Sequence, residues 1–271
     1  MRLATLNIQS GGFESYASTA GYPQRMGQIK EAVHVLDVDA IGLVDTYRWA
    51  EVFGNEGVRE EFGELGFSDA YAINLGDPIL DGKLGVAILS KKPLQNIRTI
   101  DMAGRSALAA EVSDGEETLE FVSAYLAYDS EKQRVEQAKG LVAGLGKKPY
   151  VVAGDLNGTN RGLTRKNTSV FGGEALQHLI VASPKVNDLH RAAAEMTIGE
   201  TMRIFEAAGL TDADERRRRT LHIHGIGLLA LDHVLYPPKL VQVTNLKVPR
   251  TKVFRKASDH FPMVFEVQPL S

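Results

Sequence analysis

The stretch Tyr150-Val151-Val152-Ala153-Gly154-Asp155-Leu156-Asn157-Gly158-Thr159-Asn160 carries most of the information about how this chain folds. Its apolar run has the length and β-branched content of a buried strand. Gly154 then permits a sharp turn, and Asp155 is left at the strand tip. Asn157 lies two residues on and can point the same way. A carboxylate held there can take a proton from an attacking water, and the neighbouring amide can hold a phosphate oxygen. The plainer reading is a turn, since Asp and Asn commonly close turns through Asx hydrogen bonds.

The same arrangement recurs along the chain. Asn7 follows RLATL, Asp45 follows AIGLV, and Asp259 with His260 opens SDHFPMVFEV. Polar groups collected at one edge of a buried sheet are how an α/β protein builds a site. The set is rich in oxygen donors with one late histidine, which suits a hard cation and phosphate ester chemistry better than a soft metal. Strand-like runs fall at about 2–8, 39–45, 84–90, 118–126, 149–155, 228–236 and 261–267. A helix is predicted after Pro23, with Met26, Ile29, Val33 and Leu36 on one face. Another follows a capping box at Ser130 and Gln133, with Val135, Ala138, Leu141, Val142 and Leu145 as its apolar stripe. A third is capped by Thr197 with Glu200 and stops at Gly209. Strands and helices mix without strict alternation, so the expectation is sheets with antiparallel pairs covered by helices.

Composition sets the outer bounds. The 271 residues, 44% of them hydrophobic, suit a sizeable core, and a single domain over 1–271 is expected. The net charge of −3 gives no whole-molecule pull towards nucleic acid or acidic membranes. The absence of cysteine excludes disulfides, thiolate zinc sites and cysteine nucleophiles. The opening MRLATLNIQ turns polar too soon for a signal peptide. No run approaches the roughly 18 apolar residues of a membrane helix. The expectation is a soluble, cytoplasmic monomer without membrane insertion.

Other residues carry two readings each. Thr46-Tyr47-Arg48-Trp49 is either a substrate wall, with Arg48 and Trp49 as contacts, or an amphipathic cover on the sheet edge. In LEFVSAYLAYDS, alternation puts Leu119, Phe121, Ser123 and Tyr125 on one face. Tyr125 is then either a phosphate contact or a core tyrosine with a satisfied hydroxyl. In LLALDHVLYPP, Asp232 shares a face with Ala230 and Val234, while His233 takes the other. A carboxylate inside an apolar strand is costly unless paired, and His260 is its natural partner. Such a pair fixes the imidazole and raises its pKa, so that it stays protonated and can face a phosphate. The Ser258-Asp259-His260 run precedes its strand. If that strand is antiparallel to the others, its start lies beside their ends. His222 and His224 alternate as a possible metal pair or, more plainly, a polar hairpin. Arg161, Arg165, Lys166 and the run 216–219 are phosphate contacts or simply solvated loop cations.

Taken in order, LNIQ, GLVD, GVAILS, VSAYL, GDLN, LDHV and SDHFP resemble the endonuclease/exonuclease/phosphatase superfamily, of the DNase I-like and exonuclease III-like kind. The resemblance spans nearly the whole chain. It implies a four-layer α/β sandwich, with two packed mixed sheets flanked by helices. It also implies metal-dependent hydrolysis of a phosphate ester, with Mg²⁺ as the usual ion and Mn²⁺ as a substitute. On that resemblance, Asp45 would be the main metal ligand, with Asn7 and Asp259 beside the metal. Asp155 would activate water, Asn157 would position phosphate, Asp232 would orient His260, and His260 would stabilise the charged transition state.

Two departures stand out. The family usually has glutamate, in a Gln-Glu pair, where Val44-Asp45 stands here, and the shorter side chain would move the metal or insert a water. Many branches have histidine at the Tyr125 position; tyrosine resembles the exonuclease III and abasic-site branch. The Glu-Thr-Lys pattern of that branch is replaced by Asp45-Thr46-Tyr47. Three functions follow as expectations: a nuclease on DNA or RNA, a hydrolase of a lipid or small phosphate ester, and a binding module on a catalytically weakened fold.

Overall fold

The structure is a computed structural model that describes residues 1–76, 79–159, 198–223 and 226–270. In chain order the elements are β1 (Arg2–Asn7), α1 (Met26–Leu36), β2 (Ala40–Val44), α2 (Trp49–Val52), α3 (Gly54–Gly63), β3 (Asp69–Asn74) and β4 (Gly85–Ser90). Then follow β5 (Gln95–Asp101), β6 (Ser106–Ser113), β7 (Thr118–Tyr125), α4 (Glu131–Gly144) and β8 (Tyr150–Asp155). The last are α5 (Glu200–Ala207), β9 (Thr211–Asp212), β10 (Leu221–Ile223), β11 (Ile226–Leu229), β12 (Asp232–Tyr236), β13 (Val241–Lys247), α6 (Lys252–Ala257) and β14 (Met263–Pro269).

Two six-stranded sheets form, in the orders β13-β14-β1-β2-β4-β3 and β5-β6-β7-β8-β12-β9. Each is antiparallel except for one central parallel pair, β1 with β2 and β7 with β8. Beside each parallel pair runs one antiparallel strand, β14 against β1 and β12 against β8. The two sheets thus share a plan. The parallel strands end at the edge where the antiparallel neighbour begins, so tips and starts collect at one place.

The burial pattern accounts for the layers. Leu3, Val44, Val86 and Ile88 of the first sheet meet Leu108, Phe121, Val151 and Val234 of the second in one apolar core. The outer face of the first sheet takes Ile29 and Val33 of α1, Val58 and Phe62 of α3, and Phe254 of α6. The outer face of the second takes Ala138 and Leu141 of α4 and Met202 and Phe205 of α5. The result is a helix–sheet–sheet–helix sandwich of four layers.

Local expectations hold with corrections. The helix after Pro23 begins at Met26 and ends on Asp37 in the left-handed conformation (φ 45°). Ser130 caps α4, its side chain accepting from the Gln133 N–H at 3.3 Å. Helix α5 starts after Gly199 (φ 75°), and Thr197 lies outside the described residues. The run 228–236 is not one strand. The Leu231 and Asp232 N–H groups both donate to the Thr220 hydroxyl, at 3.2 and 3.1 Å, which interrupts the ladder. β11 therefore pairs back on β10, while β12 joins β8, and Ala230 is no longer in strand with Asp232.

Gly154 is required where it stands. Its φ is 153°, and a Cβ there would sit 1.9 Å from the Ala124 carbonyl oxygen across the β7–β8 pair. Gly154→Ala is expected to cost roughly 2–6 kcal/mol, from backbone strain and overpacking together. Urea unfolding measures this, and a cost below about 1 kcal/mol would mean that the strand pair relaxes freely around the methyl group.

Candidate active site

The shared edge brings together residues from six strands. Asn7 ends β1, Asp45 follows β2, Tyr125 ends β7 and Asp155 ends β8. Asp232 opens β12 opposite Asp155 in the ladder. Thr5 of β1 pairs with Met263 of β14, so the residues just before β14, including His260, lie beside the end of β1. An isolated bridge between Leu221 and His260 holds that approach, with the His260 N–H donating to the Ser258 hydroxyl at 3.1 Å.

Hydrogen bonds fix the side chains. The Asp155 Oδ2 accepts from the Asn7 amide at 3.0 Å, and its Oδ1 accepts from the Asn157 N–H at 3.0 Å. The second bond is an Asx turn, so the plain reading of this loop and the functional one describe the same geometry. Asn157 adopts φ 49°, and its amide donates to the Leu126 carbonyl at 3.0 Å. The His260 Nδ1–H donates to Asp232 Oδ2 at 2.7 Å, while His260 Nε2 lies 4.0 Å from Asp155 Oδ2. On the other face of β12, His233 bridges Asp212 and the Gly158 carbonyl, each at 2.7 Å, and pins the exit of the Asp155–Gly158 turn.

Burial sets the electrostatics. Asp45, Asp155 and Asp232 are each 2% exposed, and His260 is 5% exposed. Burial raises the Asp155 pKa, the charge of Asp232 adds to the shift, and His260 opposes it. Burial pushes Asp45 up to about 6, against the hydrogen bonds from Tyr16 and Ser10. Burial alone would lower His260, but the Asp232 carboxylate, with help from Asp155, raises it to about 10. One edge therefore holds a carboxylate with raised proton affinity beside an imidazolium, the acid–base contrast that hydrolysis uses.

The donor chemistry at Asp45 fits a hard divalent ion. Its Oδ1 is buried and has no hydrogen-bond partner. Asp259 is near enough for its charge to raise the Asp45 pKa. Asn7 adds an amide, its Oδ1 accepting from the Gln9 N–H at 2.8 Å. Among the described residues no group of three or more His, Cys, Asp or Glu side chains is placed to hold a metal ion together.

Several sequence expectations need correction. Trp49 is no substrate wall. It is fully buried, its indole N–H donates to the Gly11 carbonyl at 2.8 Å, and it packs on Phe53 and Phe62. Its apolar neighbours outweighed the cation beside it. The Arg48 guanidinium is held by the Ser18 and Ala20 carbonyls, at 3.2 and 3.0 Å, and by Glu51 at 3.3 Å. His222 is buried and stacked on Phe261 with centroids 4.1 Å apart; burial lowers its pKa to about 4. Arg161, Arg165, Lys166 and His224 lie outside the described residues. Tyr125 is 5% exposed, with the Arg105 guanidinium 5.3 Å over its ring. Burial, followed by the charges of Asp45 and Asp155, raises its pKa well above the usual phenol value.

Two site residues gave no signal that sequence reading could use. Tyr16 lies in a polar loop, and its hydroxyl donates to Asp45 Oδ2 at 2.5 Å. Arg25 stands at the start of α1 as one more surface-type cation. Its guanidinium instead ties the Gln9, Ile8 and Phe13 carbonyls, after β1, to the Ala257 carbonyl, before the Ser258–His260 run. An invariant pattern across many sequences would reveal such a residue, but a single sequence cannot.

Two mixed sheets with helices outside, and acids and a histidine at one shared edge, define a DNase I-like sandwich. The chain belongs to the Endonuclease/Exonuclease/phosphatase family, which it matches over residues 4–260 and whose members are phosphoric ester hydrolases. The fold is similar to an AP endonuclease from Archaeoglobus fulgidus, at 14% identity and TM-score 0.66, with 98% of each chain covered. It is similar to a 3'-5' exonuclease from Neisseria meningitidis, at 15% identity and TM-score 0.64, covering 98% of this chain and 99% of that one. ANGEL2, a 2',3'-cyclic phosphatase, aligns at 12% identity and TM-score 0.63, covering 98% of this chain and 94% of that one. No curated protein matches the chain in sequence. No helix among the described residues is long and apolar enough to cross a membrane.

Proposed function

We propose that this chain is a Mg²⁺-dependent phosphodiesterase, with DNA or RNA as the favoured substrate. The observation that carries the reading is the buried Asp155 facing the Asp232–His260 pair, with the unpartnered Asp45 oxygen at the same edge. Asp45 would hold the metal, with Asn7 and Asp259 beside it. A bound divalent ion neutralises charge on the phosphate and polarises the ester.

The protein groups do the rest. Asp155, oriented by the Asn7 amide and the Asn157 N–H, takes the proton of the attacking water. His260 is kept protonated by Asp232 and offers Nε2–H to the charge that develops on phosphate oxygen. Asn157 fixes the loop that carries Asp155 and positions phosphate, and Tyr125 borders the same space. Fixed groups that need no rearrangement at the moment of reaction supply most of such an effect.

A nuclease is favoured because structural relatives include an AP endonuclease and an exonuclease. A second reading, a small or lipid phosphate ester, has its own support. Trp49 is core, so it offers no base-stacking platform, and the net charge is −3. A panel of abasic, single-stranded and duplex nucleic acids, phosphoinositides and cyclic phosphates, run with Mg²⁺, Mn²⁺ and EDTA, separates the two. Hydrolysis is expected with either ion and is expected to disappear in EDTA. Turnover that survives EDTA would refute metal dependence, and turnover only of non-nucleic esters would select the second reading.

A further inference from the structure

Asp45 is one methylene shorter than the glutamate that the sequence pattern leads one to expect, and the surrounding residues compensate in a specific way. The Asp45 backbone is left-handed (φ 59°) directly after the end of β2. Its Oδ2 accepts two hydrogen bonds, from the Ser10 N–H at 2.8 Å and from the Tyr16 hydroxyl at 2.5 Å. Its Oδ1 accepts none and is shut away from solvent. Two donors on one oxygen fix the rotation of the carboxylate and leave the other oxygen aimed in one direction.

Tyr16 is itself held independently of Asp45. Its backbone carbonyl accepts from the Tyr47 hydroxyl at 2.9 Å, and the two rings meet edge-on with centroids 5.3 Å apart. Tyr47 also meets Phe13 edge-on, and the Arg48 guanidinium lies 5.1 Å over the Phe13 ring. The same guanidinium holds the Ser18 and Ala20 carbonyls. Residues 13–20 are thereby strapped to the segment that directly follows Asp45. The phenol is presented to the carboxylate by a braced loop, instead of reaching it by chance.

We propose that Tyr16 is a positioning residue that makes Asp45 a one-oxygen ligand, so that Oδ1 alone is offered to the divalent ion. The proposal rests on the reading that Asp45 holds that ion. It gives the Asp45 departure a physical meaning: a shorter carboxylate, locked by a phenol, takes the place of a longer free one.

The test is Mn²⁺ binding to the full chain by calorimetry and electron paramagnetic resonance, without substrate. Tyr16→Phe is expected to weaken Mn²⁺ roughly tenfold or more, the range seen when a partner that orients a metal ligand is removed. Its metal-free circular dichroism should match the wild type, and Asp45→Asn should lose binding altogether. Unchanged or tighter binding by Tyr16→Phe, or retained binding by Asp45→Asn, overturns the proposal while leaving metal dependence intact. A wild-type chain that binds no Mn²⁺ overturns both. Should Tyr16→Phe not fold, Tyr47→Phe loosens the strap without touching Asp45; weaker binding then supports the proposal and unchanged affinity overturns it.

Discussion

Asp155→Asn is expected to lower the turnover number by roughly 10²- to 10⁴-fold, the range for removal of a positioned general base, with little change in KM. The substitution keeps the shape of the side chain and removes its ability to take a proton. Its two oxygens now accept from Asn7 and from Asn157, so an amide must turn its own donor towards one of them. The local cost is about 1–3 kcal/mol for a frustrated buried donor. Against this, the variant removes a buried charge. Burial raises the folded-state pKa of Asp155, so the native chain binds its proton more tightly than the unfolded chain. Such a group costs nothing below the unfolded carboxylate pKa of about 3.9. Its full cost appears once pH has risen through the folded value. Metal-free Asp155→Asn should therefore show a flatter fall of stability with rising pH than the wild type. Thermal melts across that interval, with turnover measured on the same samples, test both halves. Loss of less than tenfold in turnover would remove Asp155 from the role of base.

How much of this was legible in the sequence depends on what each residue had to announce. Asp155, Asp45 and Asn7 follow runs whose burial is complete or nearly so, so the apolar signal and its sharp stop are both present. The Asp232–His260 pair was readable from cost alone, since a carboxylate in a buried strand needs a partner. Strands β5 and β13 gave no such signal. They are edge strands with mostly exposed, polar side chains, and only their backbone pairing makes them strands. β6 is fully paired and largely buried, but its Ser-Ala-Leu-Ala-Ala start favours a helix by local propensity, and tertiary pairing overrides it. Tyr16 and Arg25 were hidden for a different reason. Tyr16 acts through a contact with Asp45 across 29 positions, and Arg25 through one with Ala257 across 232, and no local pattern encodes such a contact. Trp49 misled because an aromatic beside an arginine looks alike in a core and in a cleft.

The second large effect is expected at Asp232. Asp232→Ala should destabilise the chain by about 3–5 kcal/mol, because removing one partner of a buried ion pair strands the other. The stranded group is His260, which Asp232 holds at 2.7 Å and keeps protonated up to about pH 10. The sign of the pH effect follows from that shift. The folded pKa lies above the unfolded imidazole value of about 6.5. The pair's stabilisation is therefore complete below that value and is lost as pH rises towards about 10. Without Asp232 the burial contribution has less to oppose it, so His260 gives up its proton much earlier, and the alkaline limb of the pH–rate profile should move down. Asp232→Asn separates charge from orientation, since an amide oxygen can still accept from Nδ1–H while the attraction is gone. It should keep more stability than Asp232→Ala and still show the shifted limb. The double substitution with His260→Ala should recover part of the loss, because no buried cation remains to be stranded. A cost below about 1 kcal/mol for Asp232→Ala, with an unmoved alkaline limb, would mean that His260 is neutral in the folded chain. The electrostatic role proposed for it would then have no source.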